Sequence, residues 1–338
     1  MFKLDDLYIQ EAVILKIGIP KGLFYFKYYP LWKTFFEKLD CGVVTSPTNR
    51  KVLDSGVKLC ADEACLPVKI YHGHVDSLNG KVDAIFIPRI VSIMKHEYTC
   101  PKFLGLPEMI KNSIKVTSRI IDTTVNLRGQ HGDLFDFAME TGSIVTKDRY
   151  AIMNAFRDGL HEQHEFEKRL KECGDFESAL EKVHDKNIPR PEKIAILGHP
   201  YVIYDSYINM DIAKKIQREG YSIITPQMIE DDIIRKYASK LPKRHFWTLG
   251  RENLGAGLSL LKCTDVKGII YLSSFCCGID SLMEDYLERQ VARSSNMPYM
   301  KLVLDEHTGE AGFNTRLEAF LDMVRWREQN ESNVSTHG

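Results

Sequence analysis

The 338-residue sequence lacks several features that would assign it to a common class of protein. No apolar run approaches the roughly 20 residues that a membrane-spanning helix needs. The formal net charge of −1 gives no electrostatic basis for binding nucleic acid. Neither a Gly-x-x-x-x-Gly-Lys-Ser/Thr loop nor a Gly-x-Gly-x-x-Gly fingerprint is found, so we expect no bound nucleotide and assign any use of ATP to a partner.

Cysteine, in contrast, is plentiful, and the cellular compartment of the protein predicts what its cysteines do. The acidic start, residues 1–6, differs from a signal peptide, which predicts a cytoplasmic protein. Eight cysteines in a cytoplasmic chain of this length favour metal or redox chemistry over a disulfide framework. The 44% hydrophobic and 27% charged residues are ordinary for a globular protein with room for two α/β domains.

Short apolar runs alternate with helical periodicity in two separate parts of the chain. A strand at 13–20, a helix at 25–39 and a strand at 42–45 predict a βαβ opening. We predict a first α/β domain at 1–125, a helical insert and linker at 126–190, a second α/β domain at 191–330 and a disordered tail at 331–338. The linker rests on the proline-containing stretch 187–191, and the insert on the Glu- and Lys-rich stretch 133–185.

Three cysteines come just before predicted helix starts. Cys65 precedes Pro67, which suits the first turn of a helix, and Cys100 directly precedes Pro101. Cys277 precedes a helix for which we expect Asp280 or Ser281 as N-cap. A helix N-terminus favours the thiolate that ligates metals, and strand-to-helix junctions of α/β sheets bind ligands. We therefore expect the three thiols to face one metal site.

The other cysteines are weaker candidates. Cys60 and Cys276 each lie near one of the three and either add a ligand or line the pocket. Cys41, Cys173 and Cys263 have no cysteine neighbour close in sequence, and we interpret them as buried structural residues.

Two other chemistries compete with this interpretation. Zinc bound by Cys60, Cys65 and either His72 or His74 is the alternative metal site, although the two histidines point to different sides of a helix. A cysteine nucleophile is the second alternative, but no histidine is singled out as its base.

The motifs resemble those of acyl-CoA dehydratase activase-related proteins over nearly the whole chain. The stretches that carry the resemblance are 17–24 (IGIPKGLF), 28–32 (YYPLW), 35–36 (FF), 65–69 (CLPVK), 72–74 (HGH), 98–102 (YTCPK), 198–201 (GHPY), 275–280 (FCCGID) and 305–310 (DEHTGE).

The resemblance implies a fold like that of 2-hydroxyacyl-CoA dehydratase subunits, with two flavodoxin-like (Rossmann-type) parallel-sheet domains and helical additions. It also implies an anaerobic redox protein that receives low-potential electrons from a separate ATP-dependent activase. By that likeness, Cys65, Cys100 and Cys277 are the ligands of a 4Fe–4S cluster whose fourth iron takes water, a small substrate or another thiol.

The sequence departs from larger members of that group at Cys276, where they usually have glycine. The extra thiols of Cys60 and Cys276 raise a second possibility, a double-cubane 8Fe cluster. That cluster needs more thiolates than these and would recruit Cys41 or another chain, as in a homo-oligomer.

The leading hypothesis is an iron–sulfur reductase or dehydratase-like component with an open iron. The alternative is a non-catalytic electron carrier without a pocket beside the cluster, in which Glu63, Lys69, His72 and Arg89 are surface or supporting residues. A zinc-stabilised binding module is the third hypothesis.

Overall fold

The computed structural model describes residues 14–129, 134–183, 191–294 and 296–335. The first part of the chain contains β1 (Lys16–Gly18), α1 (Tyr25–Glu37), β2 (Gly42–Val44), α2 (Arg50–Leu59), α3 (Leu66–Leu78), β3 (Ala84–Phe86), β4 (Arg89–Ser92), α4 (Pro101–Leu104), α5 (Leu106–Ser113), β5 (Arg119–Ile121) and β6 (Thr124–Asn126). Three helices follow: α6 (Leu134–Gly142), α7 (Arg149–Cys173) and α8 (Phe176–Glu181).

The last part of the chain returns to alternating strands and helices. It contains β7 (Lys193–Gly198), α9 (Pro200–Ile203), α10 (Ile212–Arg218), β8 (Ser222–Ile224), a 3₁₀ turn (Pro226–Met228), α11 (Asp231–Ala238), α12 (Thr248–Leu260), β9 (Val266–Ser274), α13 (Gly278–Ser294), β10 (Tyr299–Leu304) and α14 (Glu310–Ser335).

The strands form two four-stranded parallel sheets and one small parallel pair. The first sheet has the order β2-β1-β3-β5, the second has β10-β9-β7-β8, and β4 pairs with β6. Numbered by their order within each sheet's own segment, both four-stranded sheets follow the pattern 2-1-3-4, which is the start of the flavodoxin-like order. The predicted α/β fold with flavodoxin-like parallel sheets is confirmed.

The sheet order predicts where a ligand binds. In each four-stranded sheet the chain changes direction beside its first strand, between β1 and β3 and between β7 and β9. Ligands of open α/β sheets bind outside the carboxyl ends of the strands at such a switch point. Buried apolar residues fill the strands themselves, as in Ile194 to Leu197 of β7, because both faces of a parallel sheet are covered.

Helix α7 packs against α1 at a glycine. We expected Gly159 and Gly174 to interrupt the helical stretch, but Gly159 lies inside α7, where a Cβ atom would be 2.9 Å from the Leu31 carbonyl oxygen. Glycine there permits the close approach. Gly174 ends the helix as expected, in the left-handed conformation with φ 70°.

Several element boundaries differ from the predictions in the first half of the chain. Gly56 does not close α2 but lies within it, against α3. The stretch 89–99, predicted as a loop, contains β4. The helix predicted after Cys100 is two short helices that meet at Gly105.

Three further boundaries differ from the predictions in the second half of the chain. The stretch 231–263, predicted as one helical region, forms α11 and α12 separated by 239–247. Helix α13 begins at Gly278, so neither Asp280 nor Ser281 precedes it as an N-cap. Helix α14 continues through Ser335, into the stretch from 331 that we predict as a disordered tail.

Two predictions lie partly or wholly outside the described residues. The linker stretch 187–190 is one, and residues 336–338 of the predicted tail are the other. The domain limits themselves stay a prediction. No helix in the described part of the chain combines the length and apolar character needed to cross a membrane.

Candidate functional site

A cavity of about 380 Å³ brings together four of the five predicted cysteines. It lies near the carboxyl ends of both four-stranded sheets, because Leu23 follows β1 and His199 follows β7. Its lining consists of Leu23, Cys65, Val68, Cys100, Pro101, Lys102, Phe103, His199, Tyr201, Trp247, Cys276, Cys277, Gly278, Ile279 and Leu282. We call it the cysteine cavity. Most of its walls are apolar or aromatic.

Cys65 is held at the cavity by the position of α3. It is the residue just before that helix, with extended backbone, and Pro67 occupies the first turn as predicted. Helices α2 and α3 touch backbone to backbone: a Cβ atom on Gly73 would be 1.9 Å from the Val52 carbonyl oxygen, and one on Gly56 equally close to that of Lys69. Two glycines therefore set the distance of α3 from its neighbour.

Cys100 reaches the cavity from the other side, directly before Pro101 and helix α4. The segment that delivers it is fixed by a parallel bridge between Tyr98 and Trp247. The Tyr98 N–H donates to the Phe246 carbonyl at 2.7 Å, and the Tyr98 carbonyl accepts from the Thr248 N–H at 3.0 Å. This bridge joins the first half of the chain to the start of α12.

Cys276 and Cys277 form a tight turn between β9 and α13. The Cys277 N–H donates to the Ser274 carbonyl, and the Cys277 carbonyl accepts from the Ser281 N–H and hydroxyl. Cys276 is exposed and has φ 63°, a left-handed conformation that favours glycine. Glycine would adopt this conformation without strain.

Burial raises the pKa of all three predicted ligand thiols above its ordinary value. Burial is the largest cause for Cys65, Cys100 and Cys277, and for Cys277 the negative charge of Asp280 adds to it. The positive charge of Lys102 lowers the pKa of Cys65 and Cys100. The backbone N–H at the start of each following helix also lowers the thiol's pKa. Negative charge on Cys100 raises the pKa of Cys65, and negative charge on Cys65 raises the pKa of Cys277. A positive group between the thiols would therefore favour the thiolate form of each.

Two residues of the site were not predicted as ligands. His199 Nδ1 lies 2.9 Å from Asp280 Oδ2, and both side chains are almost fully buried. One ring nitrogen of His199, one carboxylate oxygen of Asp280 and Cys277 Sγ lie within 4.8 Å of one another, and they form the one group of three or more potential metal ligands among the described residues. The Tyr271 hydroxyl donates to the other Asp280 oxygen at 2.9 Å.

The sheet order explains why these residues meet. His199 follows β7, while Tyr271 lies in β9 and Asp280 in the helix after it, and β7 and β9 are neighbours. Gly198 permits the tight exit from β7, because it has φ 141° and a Cβ atom there would be 2.3 Å from the Leu272 carbonyl oxygen. The motif 198–201 carried a signal for His199, since a histidine followed a predicted buried strand, but nothing in sequence linked it to Asp280.

Cys60 lies apart from the cavity lining. It is buried at the end of α2, and burial raises its pKa above the ordinary value. Cys41, Cys173 and Cys263 also lie outside the lining; Cys41 is buried, whereas Cys173 and Cys263 are only half-buried.

The two histidines of the zinc alternative differ in how many of their ring nitrogens have a partner. His74 has Nδ1 at 2.7 Å from the Ser46 hydroxyl and Nε2 at 3.3 Å from the Thr48 hydroxyl. His72 has Nδ1 at 2.8 Å from the Val68 carbonyl, while its Nε2 is buried without a partner. Burial lowers the pKa of both histidines, to about 3 for His74.

The charged residues that the electron-carrier hypothesis assigns to the surface or to a supporting role differ in burial. Lys69 is buried and forms an ion pair with Glu306, so the loop after β10 is tied to α3 beside Cys65. Glu63 is exposed, and Arg89 pairs with Glu108. Of these residues, Lys69 is the one whose removal would disturb the helix that carries a predicted ligand.

A family model matches the chain. The CoA enzyme activase uncharacterised domain covers residues 16–229, more than half of the sequence. The matched segment includes Cys65, Cys100 and His199 and ends before Cys277 and Asp280. No curated protein matches the chain.

Proposed function

The chain belongs to the family of the CoA enzyme activase uncharacterised domain, and on that premise we propose that it is the iron–sulfur redox component of an activase-dependent system. In this proposal Cys65, Cys100 and Cys277 hold a 4Fe–4S cluster. When bound, the cluster supplies low-potential electrons, delivered by a separate ATP-dependent activase, to reduce or dehydrate a small substrate. The observation that carries the proposal is that these three thiols, distant in sequence, line one cavity.

The chemistry of the residues fits such a group. Thiolates are the usual ligands of iron–sulfur clusters. The three thiols lie before three different helices, whose first N–H groups favour negative charge on sulfur. Burial makes separate thiolates unfavourable here, so the thiols gain most from ligating a cationic group together.

The remaining walls of the cavity support an enzyme over an electron carrier. Leu23, Val68, Phe103, Tyr201 and Trp247 line it without offering a metal ligand of the usual kinds. Apolar and aromatic walls with a few polar groups are typical of a small-molecule site. Three thiol ligands would leave one iron of a four-iron cluster without a protein ligand and able to bind a small molecule.

An exposed apolar edge supports contact with the electron donor. Leu282 lines the cavity and is 66% exposed, and Phe275, directly before the two cysteines, is 62% exposed. Exposed apolar residues that group together mark interaction sites. We place the activase contact at this edge, beside Cys276 and Cys277.

Anaerobic reconstitution with iron and sulfide tests the proposal. We expect four irons per chain and an EPR signal after reduction with dithionite, both lost in Cys65→Ser, Cys100→Ser and Cys277→Ser. Cys263→Ser is the matched control, because Cys263 lies outside the cavity lining, and it should keep both signals. If the three variants keep the iron content of the wild type, the ligand assignment is wrong.

Cyanide then separates an enzyme from an electron carrier. Added to the reduced protein, it should change the EPR signal if one iron is open to small ligands. An unchanged signal would assign the chain to the carrier class. A protein that stays colourless and keeps stoichiometric zinc after anaerobic expression and after reconstitution with iron and sulfide would exclude both classes.

A further inference from the structure

Two buried polar atoms beside the cysteine cavity face each other without forming a hydrogen bond. His199 Nδ1 and Asp280 Oδ2 are 2.9 Å apart, on side chains that are 3% and 1% exposed. Both atoms are buried and lack an aligned hydrogen-bond partner in the described structure. Leaving a buried polar atom unsatisfied costs about 1–3 kcal/mol. Such a pair persists at lower cost if both atoms share a third partner.

The third member of the group is Cys277, whose Sγ completes the set of three donor atoms within 4.8 Å of one another. Nitrogen, oxygen and sulfur donors from His, Asp and Cys are the common ligands of zinc and of similar divalent metals. The Tyr271 hydroxyl holds the second Asp280 oxygen. A hydrogen-bonded ligand of this kind is typical of protein metal sites.

We propose that His199, Cys277 and Asp280 form a binding site for a single divalent ion of the zinc, cobalt(II) or iron(II) class in the cluster-free protein. Cys277 gives up its thiol proton to solvent as its sulfur binds the metal. One thiolate and one carboxylate then balance the two positive charges, with a neutral imidazole as the third ligand. The buried site is therefore electrically neutral when it is filled.

His199 and Cys277 also line the cysteine cavity, so an ion bound by the three side chains would lie beside that cavity. Three protein ligands with one open position are the arrangement of catalytic zinc sites, whereas structural sites are closed. Cys65 and Cys100 take no part in the group. The single-ion site therefore differs from the proposed cluster site and shares only Cys277 with it.

Cobalt(II) is the probe for the test, because a thiolate ligand produces a charge-transfer absorption band that can be titrated. The anaerobic, cluster-free protein should bind one cobalt per chain with this band. The double variant Cys65→Ser/Cys100→Ser should bind equally well, although it cannot assemble the proposed cluster. Cys277→Ser should lose the band.

Two further substitutions examine the other ligands. Asp280→Asn and His199→Gln should each weaken cobalt binding by more than the ~10–100-fold that loss of an outer hydrogen-bond partner costs. Tyr271→Phe should fall within that ~10–100-fold range. Circular dichroism identifies variants that fold, and cobalt should raise the melting temperature of the wild type but not of folded Asp280→Asn.

The outcomes separate this site from the proposed function. Wild-type protein that assembles a cluster but binds no single cobalt, or cobalt binding that requires Cys65 and Cys100, would overturn the single-ion site alone. Equal affinity in the wild type and in folded Asp280→Asn and His199→Gln would also overturn it. Cobalt binding as described, in protein that never assembles a cluster, would support this site and reject the proposed function.

Discussion

The contact between helices α2 and α3 predicts that Gly73→Ala destabilises the protein even though alanine favours helices. A Cβ atom on Gly73 would lie 1.9 Å from the Val52 carbonyl oxygen and 2.8 Å from its carbon. Even close C–H···O contacts keep about 3.3 Å between carbon and oxygen, so the helices must separate by more than 1 Å. A backbone carbonyl in the middle of α2 cannot rotate away.

The magnitude follows from two opposing terms. Replacing glycine by alanine within a helix stabilises the folded state by about 0.5–1 kcal/mol. Overpacking costs about 1–3 kcal/mol, and contact with rigid backbone places Gly73→Ala at the upper end. We expect the free energy of unfolding to fall by ~2 kcal/mol.

Urea denaturation followed by circular dichroism measures this loss. Iron content after anaerobic reconstitution provides a second measurement, because α3 carries Cys65 at its start and a shifted helix moves that thiol. We expect Gly73→Ala to hold less iron than the wild type.

Gly312→Ala is the matched control. Gly312 lies in helix α14, and no atom comes within 4 Å of the position its Cβ would take. Without an opposing contact, the helix propensity alone should raise the free energy of unfolding by about 0.5–1 kcal/mol. If both substitutions change stability in the same direction, the packing argument is refuted.

Three further predictions concern single side chains. Burial and the charge of Lys21 lower the pKa of His74 from 6.5 to about 3. His74 in the unfolded chain therefore takes up a proton at higher pH than His74 in the folded protein. Stability should therefore fall between pH 6.5 and 3 by up to ~1.4 kcal/mol per pH unit from this group, and His74→Gln should remove that contribution from urea unfolding at several pH values. Cys276→Gly should raise the free energy of unfolding or leave it unchanged, because the left-handed conformation costs a non-glycine residue ~1–2 kcal/mol, and iron content should stay at the wild-type value. Lys69→Met should destabilise the protein by ~2 kcal/mol, because half-buried Glu306 loses the charged hydrogen bond that buried Lys69 donates, and Lys69→Met/Glu306→Gln should recover part of the loss.

Each of these has an outcome that contradicts it. An unchanged pH dependence in His74→Gln would mean that the ring takes up its proton over the same pH range in the folded and the unfolded chain. Lower iron content in Cys276→Gly would make Cys276 a ligand. If the losses from single substitutions at Lys69 and Glu306 simply add in the double variant, the two side chains do not interact.

Local sequence signals predicted much of the site. Cys65 and Cys100 were placed before helices because a proline can begin a helix, and the structure has helices starting at Leu66 and Pro101. The left-handed turn at Cys276 was not predicted, because only glycine, asparagine or aspartate would have signalled it. Cys277 was expected before a capped helix, and the helix starts one residue after it.

The amino-acid sequence by itself determined the alternation of strands and helices and the position of three thiols at helix starts, because both depend on residues that are neighbours in the chain. Only the tertiary structure decided which distant residues share a site. The order of β7 and β9 in one sheet brings His199 to Asp280, and the bridge between Tyr98 and Trp247 brings Cys100 to the same cavity. These contacts arise from the pairing of strands and the packing of helices, which local periodicity does not encode.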